Sequence, residues 1–249
     1  MLTAGVDLSS QDAKTAACLF EWSPSKAEVI ELDLNIADGA IASLIGSVDK
    51  LGIDVPLGWP VEFTRAVFDY SNGGSWPEEY EHQDNVQFRL RRTDIWLWKD
   101  LGMAPSLSVS ADRIALPAMR AASLLSRLPM QFPRDGSGTV VEVYPAAALR
   151  QWGLPSRGYK SKENLSNRRQ LVEQVLTETS GWLEISTSHV DLCLQSDDAL
   201  DSLIASLVAR AVATGLVEEI PSEDHLVALK EGWIAVPLVA SLNHLPRSR

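Results

Sequence analysis

The sequence predicts an α/β protein in which a mixed sheet with a βββαβ core is flanked by helices and carries a large insertion between its fourth and fifth strands. The order of the periodic segments leads to this fold class, because three strand patterns, a helix and a strand precede a long stretch of weak periodicity. The chain has 249 residues, 45% of them hydrophobic, which is enough for a sizeable core. We therefore expect one domain over 1–249, with the insertion at about 60–135.

The first part of the sheet is predicted from four segments near the N-terminus. "MLTAGVDLSS" is typical of a buried strand ending at Asp7, and "TAACLFEW" and "EVIELDLN" have the pattern of two more strands. Consecutive strands of this kind favour an antiparallel meander. The segment "ADGAIASLIGSVDK" has helical spacing, with Asp38 available as its N-cap. "LGIDVP" then predicts a buried strand with Asp54 near its carboxyl end, closed by Pro56.

The second series of elements follows the insertion, in which Pro, Gly and Trp accumulate around a helix predicted at "LPAMRAASLLSRL". "TVVEVYP" predicts a strand that contains Glu142. "YKSKENLSNRRQLVEQVLTETSG" is amphipathic, and "SDDALDSLIASLVARAVATG" predicts an apolar helix that opens on aspartates. The tail "EGWIAVP" fits either a late strand or a loop packed over the core.

Three acids share a position at the ends of predicted strands. Asp7, Asp54 and Glu142 each interrupt an apolar segment, where an isolated carboxylate is costly to bury. Any one of them alone is equally compatible with hydrogen bonds to the backbone or to an Arg. Together they indicate a site, because ligands of open sheets bind beyond the carboxyl ends of the strands.

The aspartates of the late helix are expected to face the same point. We expect Asp198 to be the main ligand of a cation, Asp201 an auxiliary ligand, and Asp197 a cap or an exposed partner. Four or more carboxylates at one point repel each other unless cations neutralise them, and hard oxygen ligands suit Mg²⁺ or Mn²⁺. The predicted catalytic set is therefore Asp7, Asp54, Glu142, Asp198 and Asp201, with Asp7, Glu142 and Asp198 as metal ligands.

Basic residues provide candidates for substrate binding. The densest positive cluster has two tryptophans within it and consists of Arg89, Arg91, Arg92 and Lys99, with Trp96 and Trp98. Arginine beside aromatic rings can hold a phosphate and stack a base. The alternative is that Arg91 or Arg92 pairs with a site acid and the tryptophans belong to the core. Lys160 lies in a second basic stretch, so Arg91, Arg92 and Lys160 are the predicted substrate-binding residues, with nucleic acid the expected partner at a localised patch.

Composition restricts the partners and the location. The formal net charge of −11 opposes broad affinity for nucleic acid or anionic membranes. Cys18 and Cys193 form neither a C-x-x-C pair nor a disulfide framework, which favours a reducing compartment. The opening residues lack the pattern of a signal peptide, and the sequence contains no apolar run of membrane-spanning length. We expect a cytoplasmic protein without a membrane partner.

Seven motifs in order carry a resemblance to a known family: "GVDLSS", "GIDVPLGWP", "RRTD", "VEVYPAAALRQWG", "GYK", "DDALDSLIASLVAR" and "EGWIAVP". On these motifs the sequence resembles domain of unknown function family 429, whose members are predicted nucleases with a ribonuclease H-like fold. In enzymes of that fold, acids on the first strand, a later strand and the final helix bind metal. Asp7, then Asp54 or Glu142, then Asp198 or Asp201 match those roles.

The resemblance implies a Mg²⁺- or Mn²⁺-dependent nuclease that hydrolyses phosphodiester bonds. Two cations would activate a water and stabilise the leaving 3′ oxygen, with Asp7 bridging both ions. One alternative is a noncatalytic module that holds a cation or another ligand on the same fold. The other is an actin-like phosphotransferase relative, although such proteins carry glycine-rich phosphate turns where this chain has "DLSS".

Overall fold

A three-stranded antiparallel meander opens the chain in the computed structural model, which describes residues 1–77 and 85–247. The strands are β1 (Leu2–Asp7), β2 (Ala16–Trp22) and β3 (Ala27–Leu34). They pair in sequence order, as the apolar patterning predicted. His82, one of four histidines in the sequence, lies outside the described residues.

A helix and a parallel strand follow the meander. Helix α1 (Asp38–Ser47) leads into β4 (Lys50–Asp54), which pairs in parallel with β1. The expected N-cap role of Asp38 is wrong, because the helix is capped by Ala37 without a side-chain bond. The Asp38 carboxylate instead accepts hydrogen bonds from Arg120 and Arg127, whose charges compete successfully for its oxygens.

The segment between the fourth and fifth strands contains helices rather than strands in the part that the structure describes. They are α2 (Val61–Ser71), α3 (Val86–Arg89), α4 (Arg92–Lys99) and α5 (Ala115–Ser126). Helix α5 coincides with the helix predicted at "LPAMRAASLLSRL". It packs its buried alanines and Leu124 against the core on the α1 side of the sheet.

The remaining elements complete the sheet and cover its other face. They are β5 (Val140–Val143), α6 (Pro145–Gln151), α7 (Leu165–Thr179), β6 (Leu183–Glu184), α8 (Thr187–Gln195), α9 (Asp197–Ala213), α10 (His225–Glu231) and β7 (Ile234–Ala235). The segment "EGWIAVP" thus contributes a short late strand, which pairs in parallel with β5.

The result is an α/β architecture with a seven-stranded mixed sheet in the order β6-β3-β2-β1-β4-β5-β7. The strands β1, β4, β5 and β7 run parallel to one another, and β2 is antiparallel to both of its neighbours, β1 and β3. Helices cover both faces, with α9 on one side and α1 and α5 on the other. In the described part of the chain, no helix has the length and apolarity needed to cross a bilayer.

Two glycines bring α9 unusually close to the sheet. A Cβ atom on Gly5 would lie 2.0 Å from the carbonyl oxygen of Ser202, and one on Gly52 would lie 2.4 Å from that of Ala205. Only glycine permits such an approach of two backbones. Because Thr3 contacts Ser206 one helical turn further along, α9 runs antiparallel to β1. Its first turns therefore reach the carboxyl ends of β1 and β4.

Candidate active site

The site is built on a repeated Gly-x-Asp pattern in two neighbouring strands. Gly5 and Gly52 are register partners in β1 and β4, and so are Asp7 and Asp54 two residues later. Side chains two residues apart point to the same face of a sheet. The two carboxylates therefore stand side by side on the face that α9 covers.

Asp201 joins this pair from α9. It is fully buried, accepts a hydrogen bond of 2.7 Å from the Tyr159 hydroxyl, and lies 2.6 Å from the ammonium of Lys160. Although burial lowers the Lys160 pKa, the carboxylates of Asp201, Asp54 and Asp7 outweigh it, so the net effect is a raised pKa. The lysine is thus a permanent cation held among three acids.

The acids hold more negative charge than this one lysine neutralises. The pKa of Asp54 is raised to about 7, chiefly by burial, with Lys160 opposing the increase and Asp201 contributing to it. The pKa of Asp7 is raised well above its ordinary value by burial, then by Asp54 and Asp201. A further positive charge or a proton therefore stabilises this group of carboxylates.

Glu142 lies at the same end of the sheet but on its other face. It pairs in register with Ile53 rather than with Asp54, and neighbouring residues of a strand point to opposite faces. Both of its oxygens accept hydrogen bonds of 2.7 Å from Arg91, and one also accepts the Leu57 N–H at 2.9 Å. The structure therefore brings Asp7, Asp54 and Asp201 together, while Glu142 faces a guanidinium.

Arg91 belongs to a buried charge network that ties the insertion to the sheet. Its remaining donors bind both oxygens of Asp94 and the carbonyl oxygen of Glu231. Gly232 lies against this network, and a Cβ atom there would be 2.8 Å from Glu142 Oε2. This is the arrangement anticipated by the alternative in which Arg91 pairs with a site acid.

Arg92 and the neighbouring aromatic residues do not take part in the group formed by Asp7, Asp54 and Asp201. The Arg92 guanidinium donates to Asp224 at 2.8 Å, and its side chain lines a separate cavity of about 390 Å³. Trp96 is buried against Trp233, with ring centroids 5.2 Å apart. Of the three predicted substrate-binding residues, Lys160 alone pairs with one of the converging aspartates, whereas Arg91 is held by Glu142 and Asp94.

The start of α9 divides its aspartates among different partners. Of the two roles expected for Asp197, that of a cap is wrong, because Ser196 is the N-cap and accepts the Ala199 N–H at 3.3 Å. Asp197 accepts a hydrogen bond of 2.7 Å from the buried Arg168. Asp198 is half-buried, and its pKa is raised by burial and by the other two aspartates.

An open-sided cavity of about 570 Å³ leads to Asp7 and Asp54. Its charged and aromatic lining also includes Glu142, Arg91, Asp94, Arg113, Tyr144, Arg157, Tyr159 and Lys160. Arg113, Tyr144 and Tyr159 are not among the site residues predicted from the sequence. Tyr159 carries a usable signal, since it adjoins Lys160 in "GYK", whereas Arg113 lies in a stretch without periodicity.

The donor atoms suit a hard divalent cation. Asp7, Asp54 and Asp201 supply only carboxylate oxygens, the ligands that Mg²⁺ and Mn²⁺ prefer, and their repulsion is relieved by added positive charge. Within residues 1–77 and 85–247, no group of three or more His, Cys, Asp or Glu side chains is arranged so that it could hold a metal ion. The lysine beside Asp201 provides a positive charge in this arrangement.

Comparison with known proteins places most of the chain in one family. Residues 5–226 match the family described as "Protein of unknown function (DUF429)". The match includes the end of β1, all of β4 and the start of α9, and so all three converging aspartates. No curated protein and no solved structure matches the chain.

Proposed function

The chain belongs to the DUF429 family of proteins of unknown function, and we propose from its site that it is a metal-dependent nuclease with a ribonuclease H-like fold. The observation that carries the proposal is the in-register pair of Asp7 and Asp54, with Asp201 buried beside them. The strand order β3-β2-β1-β4-β5 supports the fold assignment, since it sets the first acid-bearing strand at the centre.

Asp7 and Asp54 would hold Mg²⁺ or Mn²⁺, with Asp201 and Asp198 as the further carboxylates available from α9. The cation would activate a water and stabilise the leaving 3′ oxygen of a phosphodiester. The bidentate bond from Arg91 favours a supporting role for Glu142 over ligation, because both of its oxygens are already engaged. That network would keep β5 and the insertion in place beside the cavity.

Two residues of the "GYK" segment would position the reacting groups. Tyr159 donates to Asp201 Oδ1 and so fixes the orientation of this carboxylate. Lys160 is half-exposed to the cavity and would contact a substrate phosphate through its ammonium. Both residues reach the carboxylates from the segment that precedes α7.

A noncatalytic ligand-binding module is the second candidate, and the Lys160–Asp201 ion pair favours it. The ammonium of Lys160 already neutralises part of the negative charge of the three aspartates, so these carboxylates depend less on a metal ion. In that case the cavity would hold a ligand without breaking a phosphodiester bond.

Mn²⁺ titration combined with a cleavage assay separates these functions. We expect the native chain to bind Mn²⁺ and to cleave single-stranded or structured nucleic acid with Mg²⁺ or Mn²⁺ but not in chelator. Asp7→Asn and Asp54→Asn should each weaken Mn²⁺ binding by at least about tenfold, equivalent to about 1.4 kcal/mol. Asp33→Asn, which changes an exposed acid on β3, is the matched control. Mn²⁺ binding without cleavage would favour the noncatalytic module, and unchanged affinity in both site variants would reject the metal site.

A further inference from the structure

We propose that the cavity binds one terminal nucleotide, either free or at the end of a single strand, rather than the backbone of a duplex. This inference rests on the proposed function and specifies the substrate class of the same site. It follows from the cavity that leads to the carboxylates, from the exposed cations around them, and from the apolar part of the walls.

The insertion forms part of the cavity that leads to the carboxylate pair. Residues of the insertion between 106 and 117 and residues of the segment 144–160 both line the cavity. The volume of about 570 Å³ lies within the range of about 300–1,000 Å³ that is usual for small-molecule sites. A cleft of this kind admits one nucleotide more readily than a stacked double helix.

The charge distribution supports the same conclusion. Proteins that follow a duplex backbone neutralise many phosphates with an extended basic surface, whereas this chain has a net charge of −11. The exposed cations of the cavity are Arg113, Arg157 and Lys160, which is enough for one phosphate group. Burial and Asp54 raise the pKa of Tyr144, and the charges of Lys160 and Arg157 both oppose this increase. Both cations therefore act on the same tyrosine in the cavity lining.

A hydroxyl donor completes the polar part of the cavity. Ser106 Oγ is buried, and it has no hydrogen-bond partner among the residues that the structure describes. Ser106 lines the cavity on the insertion side, in the same wall as Arg113. An unpaired buried hydroxyl is costly, so a ligand that supplies an acceptor would gain a hydrogen bond there.

The rest of the wall suits a base. Leu107, Ile114 and Pro117 form an apolar surface on the insertion side, and Leu107 is 42% exposed. Tyr144, from the segment 144–160, adds an aromatic ring to the lining, and bases stack readily on such rings. A nucleotide carries both an anionic and a flat apolar part, whereas a sugar phosphate offers only the former.

Direct binding measurements test this inference independently of cleavage. The probes are adenosine monophosphate, ribose 5-phosphate, a single-stranded trinucleotide with a terminal phosphate and a blunt twelve-base-pair duplex, each titrated with Mn²⁺ and in chelator. Arg113→Gln and Arg157→Gln should weaken binding of adenosine monophosphate by at least about tenfold. Lys162→Gln, an exposed lysine outside the cavity lining, should leave it unchanged. Circular dichroism would verify that each variant is folded.

Each outcome decides the inference. Binding of adenosine monophosphate alone would identify a free nucleotide as the ligand, and binding of the trinucleotide as well would identify a strand end. Equal or tighter binding of the duplex, equal binding of ribose 5-phosphate, or no binding of the nucleotide would overturn the inference. If the nucleotide binds but the native chain neither binds Mn²⁺ nor cleaves, the proposed nuclease function fails while the nucleotide site stands.

Discussion

Asp7 and Asp54 lie directly opposite each other on two central parallel strands, and both point toward α9. Two carboxylates at one register position repel each other, and α9 adds Asp201 beside them. Gly5 and Gly52 make this arrangement possible, because they let the helix approach the strands two residues before each acid. The same packing that holds the sheet and helix together thus concentrates negative charge at the end of the cavity.

The first prediction concerns the pH dependence of stability. Burial raises the folded-state pKa of Asp54 to about 7 from an ordinary value of 3.8, so between these values the folded state binds a proton that the unfolded state releases. Stability from this group is therefore lost as the pH rises through that window. In chelator, Asp54→Asn should be more stable than the native chain at pH 8, by on the order of 1 to 4 kcal/mol, and similar to it near pH 4.

Urea unfolding at several pH values between 4 and 8 measures this difference directly. Asp33→Asn serves as the control, because it removes one exposed carboxylate of β3 that lies outside the site. If the difference in unfolding free energy between the native chain and Asp54→Asn is the same at every pH, Asp54 does not hold a proton at neutral pH.

The second prediction concerns Lys160 as a competitor of the cation. Its ammonium lies 2.6 Å from Asp201 Oδ2 and provides positive charge at the carboxylates. Lys160→Met should therefore raise Mn²⁺ affinity by roughly tenfold, because the cation no longer meets a like charge there. It should also lower the melting temperature in chelator, since the three acids then lack their counter-charge.

Lys162→Met controls for the general effect of removing one positive charge. Calorimetric titration of Mn²⁺ and thermal unfolding in chelator supply the two measurements. A fall in Mn²⁺ affinity for Lys160→Met would argue against competition and indicate that the lysine helps to shape the metal site.

The third prediction concerns the buried pair of Arg91 and Glu142. Removing one partner leaves an uncompensated buried charge, so Arg91→Met should cost about 3 to 5 kcal/mol of unfolding free energy. The double variant with Glu142→Leu should lose less than the sum of the two single variants. For Glu142→Gln, Mn²⁺ affinity should stay within about threefold of the native value if the residue supports the site without binding metal.

Denaturant unfolding of the three single variants and the double variant tests the pairing. The metal titration then decides the role of Glu142, with Asp7→Asn as the reference for a lost ligand. An equal loss of Mn²⁺ affinity in Glu142→Gln and Asp7→Asn would restore Glu142 to the predicted set of metal ligands.

Strands β1 to β5 were predictable because their apolar patterns are local, whereas the two-residue strand β6 was not predicted and the pattern at β7 fitted either a strand or a loop. The positions of Asp7 and Asp54 at strand ends were visible too, and the repeated Gly-x-Asp pattern is an additional local signal of their partnership. The orientation of Glu142 could not be predicted in this way. Its side chain direction depends on the register between β4 and β5, and a shift of one residue moves a side chain to the other face.

Residues of the insertion were harder to assign for a related reason. Arg91 pairs with Glu142 across 51 positions of sequence, and nothing in the local pattern around either residue specifies that contact. Ser106 and Arg113 lie in a stretch without helix or strand periodicity, so their place in the cavity depends on tertiary packing. At α9, three adjacent polar residues all suit a helix start, and the local pattern did not distinguish Ser196 from the aspartates that follow it.

The last prediction assigns separate roles to the residues that open α9. Ser196 accepts the Ala199 N–H, so Ser196→Ala should cost about 0.5 to 2 kcal/mol of stability and leave Mn²⁺ affinity unchanged. Asp201→Asn retains an acceptor for the Tyr159 hydroxyl but loses the charge, so it should weaken Mn²⁺ binding with little loss of stability. Asp197→Ala should destabilise the chain, because the buried Arg168 loses its carboxylate.

Mn²⁺ titration and urea unfolding in chelator, applied to the same set of variants, distinguish a ligand from a cap. A ligand lowers affinity, a cap lowers stability, and Asp198→Ala shows whether the half-buried acid contributes to binding as the sequence predicted. Because Asp201 is the fully buried member of this group and faces Lys160, we expect the larger loss of affinity in its variant. If Mn²⁺ affinity is unchanged in both Asp198→Ala and Asp201→Asn, α9 supplies no metal ligand. The acids at its start then only stabilise the fold and pair with Lys160.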